Sequence, residues 1–328
     1  MQKTAGLIKK KALELLENGT VSKVLAWSRS GDFIYEVSPS FFEKDDIDDM
    51  IYDSFCAANL SKYLIKACKE QTEGKILVVL KPCDTYSFNE LLCEHRIDRE
   101  KIFVLAVPCT GMIDGEKLSK CGFSGVTKVI DKGEDFDVFS LEGEKTVEKR
   151  DVLLEKCLCC KGGAPVAFDE KIELDGEAYE AYEDRFAGVE ELEEMTPDER
   201  FEFWQNELSK CIRCNACRNV CPACSCMKCV FDNANSGVAS KANDDSFEEK
   251  LFHVIRAFHV AGRCTDCGEC SRVCPQGIPI HLLNRKFIKD IDALYGEYQA
   301  GLDPNSRAPL VNYRTEDAEP SIVEERGN

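Results

Sequence analysis

The sequence predicts a chain in two parts, an α/β N-terminal domain followed by a helical, cysteine-rich C-terminal domain. Three observations carry that reading. Two short apolar runs, Ile76 to Leu80 and Ile102 to Val107, flank a helix-like stretch at 86 to 95, the pattern of a βαβ unit with buried strands. A strongly acidic stretch from Ala178 to Glu194 then interrupts the chain. Beyond it, eleven of the twenty cysteines fall between Cys211 and Cys274. At 328 residues and 44% hydrophobic content, the chain can bury two cores.

Taken in order, Leu7, Ile8, Ala12, Leu15 and Leu16 recur at helical spacing over residues 5 to 18, and Gly19 suits a left-handed C-terminal cap. Val21 to Trp27 and Phe33 to Val37 flank Ser30-Gly31-Asp32 as a hairpin. Residues 53 to 68 read as a second helix. The two apolar runs end alike, in Pro82-Cys83 and Pro108-Cys109, so both thiols stand at the carboxyl rim of parallel strands, where open α/β sheets bind ligands. Cys56, Cys68 and Cys93 fall in helical stretches and read as packing residues. Thr196-Pro197 opens a helix from Asp198 to Lys210, and two further helices are expected at Phe247 to Ala261 and Ile280 to Leu294. Asp303 to Asn328 carries three prolines and many charges, the composition of an extended arm.

Sixty acidic against forty-two basic residues, a net charge of -18, argue against a nucleic-acid partner and for protein partners. The sequence has no apolar run of eighteen residues for a membrane span. Met1 to Leu16 is Lys-rich and lacks the apolar core of a signal peptide, so the expected location is the cytoplasm. In that reducing compartment twenty cysteines read as metal ligands rather than disulfides.

Their spacing names the metal. Cys211-Ile-Arg-Cys214-Asn-Ala-Cys217-Arg-Asn-Val-Cys221-Pro222 is repeated as Cys264-Thr-Asp-Cys267-Gly-Glu-Cys270-Ser-Arg-Val-Cys274-Pro275. Three thiolates two residues apart hold three iron corners of one cubane, while the fourth, before a Pro that redirects the chain, reaches the other cluster. Two 4Fe-4S clusters follow: Cys211, Cys214, Cys217 and Cys274 hold the first, and Cys264, Cys267, Cys270 and Cys221 the second. Zinc also uses paired Cys-x-x-Cys, but does not require the third cysteine and the Cys-Pro ending. Cys224, Cys226 and Cys229 exceed the eight required and stay unassigned, with packing beneath the clusters the plainer reading.

Over about residues 200 to 296 these features resemble the α-helical dicluster ferredoxin domains of heterodisulfide reductases and succinate dehydrogenase iron–sulfur subunits. That resemblance implies an electron relay docked on other subunits. Over about residues 5 to 175 the chain resembles the coenzyme F-420 hydrogenase and dehydrogenase beta subunit family, which includes formate dehydrogenase beta subunits. The matching features are Lys81-Pro82-Cys83-Asp84, Val107-Pro108-Cys109-Thr110-Gly111 and Cys157-x-x-Cys160. Family members pair a 4Fe-4S cluster with a flavin. The resemblance therefore implies a third 4Fe-4S cluster on Cys83, Cys109, Cys157 and Cys160, with Cys121 the rival for the fourth place, and FAD as a possible further cofactor.

The resulting plan is an α/β domain at 1–177, an acidic joint at 178–197, an α-helical dicluster ferredoxin domain at 198–300 and a charged tail at 301–328. No Gly-x-Gly-x-x-Gly or Walker sequence is present, so no flavin-binding residue is assigned. The four histidines, His95, His253, His259 and His281, stand apart and read as structural, which leaves no catalytic residue. The expected function is an electron-transfer subunit, relaying single electrons between redox subunits of a cytosolic anaerobic oxidoreductase of the hydrogenase, formate dehydrogenase or heterodisulfide-reductase kind. Two alternatives stand beside it: a flavin-bearing subunit exchanging hydride with a deazaflavin or nicotinamide coenzyme, and an iron–sulfur redox sensor.

Overall fold

The computed structural model describes residues 2–71, 73–161, 163–173, 179–233 and 246–311. Helix α1 (Gln2–Glu17) buries Ile8, Ala12 and Leu15, and Gly19 follows it at φ 74° as expected. Strand β1 (Val21–Arg29) pairs antiparallel with β2 (Val37–Phe42), with Val24 opposite Phe42. The hairpin is longer-turned than the sequence predicts, because Phe33 to Glu36 belong to the turn. The Glu36 carboxylate accepts the Phe33 N–H at 3.0 Å, and the Glu36 carbonyl accepts the Ser30 N–H at 2.8 Å.

The helix expected at 53 to 68 forms only from Leu64, as α2 (Leu64–Glu70) behind a 3-10 turn at Ser61–Tyr63. Upstream, the Asp53 side chain accepts from Phe55 N and the Asn59 side chain from Ser61 N. Such local bonds offer the backbone an alternative to the helix. Cys56 is buried in this turn rather than on a helix, and Cys68 is buried on α2.

Strands β3 (Lys75–Leu80) and β4 (Ile102–Ala106) are parallel neighbours joined through α3 (Pro82–Cys93). Their side chains are almost wholly buried, which is why these stretches read as unbroken apolar runs. Next come α4 (Gly115–Lys120) and an antiparallel meander of β5 (Val126–Asp131), β6 (Asp135–Ser140) and β7 (Gly143–Glu148). The sequence reading missed this meander. Only Val126, Phe136 and Val138 of its strands are fully buried, too few for a clear alternation. Short helices α5 (Lys149–Val152) and α6 (Glu155–Leu158) follow, and β8 (Glu170–Lys171) completes a five-stranded sheet of order β2-β1-β3-β4-β8.

From residue 179 onward the described residues contain helices and no strand. Helix α7 (Ala187–Glu194) lies inside the acidic stretch and buries Val189 and Leu192. Helix α8 (Pro197–Ser209) opens with a capping box between Thr196 and Glu199, an arrangement contributing about 1 kcal/mol. Then come α9 (Ala216–Val220), α10 (Ser246–Val260), α11 (Glu269–Arg272) and α12 (Ile280–Tyr295). Lys289 on α12 holds Glu190 and Glu193 of α7 at 3.0 and 2.7 Å. No helix among the described residues is long and apolar enough to cross a membrane.

The tail departs from expectation over residues 301–311, which pack back on the molecule instead of extending from it; residues 312–328 lie outside the described residues. Ala300 and Ala308 are buried. Cys93, expected in a core, is only half-buried, and its thiol donates to the Pro304 carbonyl at 3.1 Å. Gly301 makes the docking possible: it adopts φ 73°, and a Cβ there would stand 1.9 Å from the Tyr86 carbonyl oxygen. Gly301→Ala is therefore expected to release residues 300–311 from α3. Their amides should exchange with solvent faster while β3 and β4 keep their protection; unchanged exchange in the segment would contradict this packing.

Candidate metal centres

The two cysteine repeats adopt the same backbone at equivalent places. Arg213 and Asp266, one residue before the second cysteine, have φ 53° each, and Asn215 and Gly268, one residue after it, have φ 62° and 66°. Left-handed residues inside a loop turn successive N–H groups to one side, making the anion-binding concavity found at many iron–sulfur sites. The Arg213 N–H donates to Cys211 Sγ at 3.4 Å, and the equivalent Asp266 N–H bonds the Cys264 sulfur. Three of these four residues are not glycine, so contacts around the loop must hold this backbone.

Cys211, Cys214, Cys217 and Cys274 line one small cavity, so three thiols of the first repeat meet the last thiol of the second. Cys221 does not line that cavity. Its charge acts on Cys264, Cys267 and Cys270 of the second repeat and also on Cys217 of the first, in each case after the larger effect of burial. Among the described residues no three His, Cys, Asp or Glu side chains converge closely enough to hold a single metal ion. A four-iron cluster takes one thiolate per iron, so its ligands need not converge on one point.

In the N-terminal domain Cys83 sits in the first turn of α3 and Cys109 just past β4, at the rim where the sequence placed them. They line a cavity with Cys157 and Cys160, and with Cys159 and Cys267. Cys121, the rival ligand, is exposed and does not line it; Cys159 does. The Met112 N–H donates to Cys157 Sγ at 3.3 Å. Burial pushes Cys109 up to about 11 and Cys157 to about 12, so these thiols are neutral until a metal claims them. Lys81, wholly buried behind them, donates to the carbonyls of Cys56 and Ala58, pairs with Asp84 at 2.7 Å and lies over the Trp27 ring.

Residues 207–278 match the family profile of the 4Fe-4S dicluster domain. The C-terminal part of this chain is a 4Fe-4S dicluster domain. The whole chain is homologous to beta subunits of F420-dependent formate dehydrogenases. It is 26% identical to that of Methanocaldococcus jannaschii over 91% of this chain and 92% of that one. It is 25% identical to subunit beta of formate dehydrogenase 1 of Methanococcus maripaludis over 90% of each. A ferredoxin of Sinorhizobium fredii is 34% identical over 73 residues, 22% of this chain and 70% of the ferredoxin. The donor set fits the group the dicluster domain is named for: thiols in sets, backbone N–H groups on their sulfurs, and left-handed loops around them.

Sequence reasoning missed the polar residues around the dicluster domain. His253, read as structural, lies 3.3 Å from Cys211 Sγ through Nε2, and burial, reinforced by Arg256 and Arg213, pushes its pKa down to about 3. The imidazole is therefore neutral and is held against a thiol of the first repeat. Only its place on α10, eleven residues before Cys264, hinted at this. Glu269, fully buried in the second repeat, takes Lys156 of the N-terminal domain at 2.6 Å and Arg272 at 2.7 Å. Burial alone would raise its pKa, but Lys156 and then Arg272 hold it well below the usual carboxylate range.

Removing one member of a buried ion pair typically costs about 3 to 5 kcal/mol, because the partner's charge stays buried. Glu269→Gln is expected to lose stability on that scale in anaerobic urea denaturation. Glu116→Gln, which breaks an exposed pair with Lys120, should change little. Equal effects would mean that the interdomain pair does not hold the second repeat in place.

Proposed function

We propose that this chain is the iron–sulfur electron-transfer subunit of a multi-subunit oxidoreductase, relaying single electrons between partner redox centres. The observation that carries the reading is that the three thiol groups adjoin. Cys267 of the second repeat forms part of the wall of the Cys83, Cys109, Cys157 and Cys160 cavity. On the other side, Cys217 of the first repeat and Cys221 and Cys270 of the second set act on the same buried guanidinium, Arg256. The ligand sets we assign are Cys211, Cys214, Cys217 and Cys274; Cys264, Cys267, Cys270 and Cys221; and Cys83, Cys109, Cys157 and Cys160. A 4Fe-4S cluster supplies one-electron chemistry when bound, at a potential set by charge, hydrogen bonds and burial.

The chain's own residues prepare those sites. Backbone N–H groups of Arg213, Asp266 and Met112 meet the sulfurs, and Lys81, Lys156 and Arg256 place buried positive charge beside them. Such charge lowers the cost of burying thiolates. Helices α8 to α12 support an α-helical ferredoxin fold for this part. The likeness to beta subunits of formate dehydrogenases supports a partner that oxidises or reduces a one-carbon acid, and a cytoplasmic location accords with it.

A second reading, a flavin or deazaflavin site on the same chain, draws on the relatives' F420 dependence and on one groove. That groove, about 900 Å³, lies between the β1–β2 hairpin and α9, with Lys23, Lys62, Lys66 and Arg272 in its walls beside one acid, Glu70, which pairs with Lys66. Its size suits an organic cofactor and its charge suits an anionic one.

Anaerobic purification with joint assay of iron, acid-labile sulfide and flavin tests both readings. Roughly twelve irons per chain are expected, by four per cluster. Cys83→Ala, Cys109→Ala, Cys157→Ala and Cys160→Ala should each lose about four, and Cys121→Ala and Cys159→Ala none. About eight irons in the unaltered chain would remove the third set, and stoichiometric flavin would favour the second reading.

A further inference from the structure

Arg256, on α10, is 2% exposed and sits where the two cysteine repeats meet. Its Nη2 donates to the Cys217 carbonyl at 3.1 Å. Its Nε and Nη1 are buried with no hydrogen-bond partner among the described residues. The side chains that act most strongly on its charge are those of Cys221, Cys224, Cys270 and Cys217, in that order. Of the cysteines assigned as ligands, Cys217 belongs to the first set and Cys221 and Cys270 to the second. A guanidinium with open N–H groups in a buried site is costly unless anions face it. The thiols that face it here come from both sets, and each becomes an anion when it binds metal.

We propose that Arg256 sets the reduction potentials of both C-terminal clusters together, as one positive charge and hydrogen-bond donor shared between them. The inference rests on the ligand sets of the proposed function. Reduction adds one negative charge to a cluster, and a fixed buried cation stabilises the reduced form, so Arg256 raises both potentials. Charge and hydrogen bonds to the sulfurs are the levers by which a protein tunes such clusters. Arg256 is a positioning residue in this scheme: it carries no electron. The other cations nearby act differently: Arg263 pairs with Glu94 and Arg218 with Asp232, Lys62 donates to the Cys224 carbonyl and acts on Cys221, and Lys161 acts on Cys267 and Cys264, both of the second set.

The test is a potentiometric titration, followed by electron paramagnetic resonance, of the full chain purified anaerobically, as wild type, Arg256→Gln and Arg256→Lys. Arg256→Gln keeps an N–H donor and loses the charge. It should lower the reduced-to-oxidised ratio of both C-terminal clusters at least tenfold at a fixed potential, a shift of 59 mV for one electron. The cluster at Cys83 should stay where it is in wild type. Arg256→Lys should hold both ratios within about threefold of wild type, roughly half that shift. Complete iron with unmoved potentials in Arg256→Gln, or a shift in one C-terminal cluster alone, overturns the proposal. Should Arg256→Gln fail to load, Arg256→Lys decides: fully loaded with both reduced-to-oxidised ratios lowered tenfold, it overturns the proposal too. Wild-type protein with fewer than eight irons would instead overturn the ligand sets themselves, a separate outcome.

Discussion

Two carboxylates with little or no access to water, Asp266 at 4% side-chain exposure and Glu269 at 0%, organise the molecule. Each flanks a cysteine of the second repeat, and burial alone would push both toward the neutral acid. Cations drawn from outside the repeat keep them charged: Arg285 of α12 and Arg185 meet Asp266 at 3.1 and 2.7 Å, and Lys156 of α6 meets Glu269. Arg285 also reaches Glu155 of α6 at 2.6 Å. A buried carboxylate without its cation is far less stable than the pair, so these contacts hold the N-terminal domain, α12 and the second repeat against one another.

That constraint brings the thiol groups into register. Lys156 lies one residue before Cys157, so the ion pair that fixes Glu269 also fixes the Cys157–Cys160 turn against Cys267. Lys161 is half-buried in the same seam with its Nζ shut off from water, over the Tyr86 ring at 4.8 Å, and acts on Asp266 and on the thiols of Cys267 and Cys264. A second seam ties α3 to the segment after the first repeat, through Ser225 on Glu94 and Arg263 on Glu94 and Ala223. Ser87 and Thr265 complete it with a hydroxyl bond at 2.8 Å. A chain of net charge -18 thus concentrates buried cations where thiols gather, the arrangement that favours anionic clusters inside protein.

Much of this was legible in the sequence because the chemistry demands local spacing. The doubled cysteine run, the two strand-ending Pro-Cys pairs and the helices α1, α8, α10 and α12 follow from patterns within a few residues. What was hidden depends on contacts across the fold. The place of Cys159 in one wall with Cys83 and Cys109, the packing of residues 301–311 and the neutral His253 against Cys211 arise from distant segments. The failed helix at 53 to 60 and the long hairpin turn have a different cause, since Asp53, Asn59 and Glu36 side chains compete with backbone bonding that apolar periodicity does not register.

The central claim is that the two repeats exchange their fourth cysteine and that a third thiol set adjoins the second. An anaerobic crystal structure phased on iron anomalous scattering measures it directly. The account predicts three four-iron peaks in a row, with Cys221 bound beside Cys264, Cys267 and Cys270, and with Cys274 bound beside Cys211. A cluster held locally by Cys211, Cys214, Cys217 and Cys221, or no iron near Cys83 and Cys109, would contradict it.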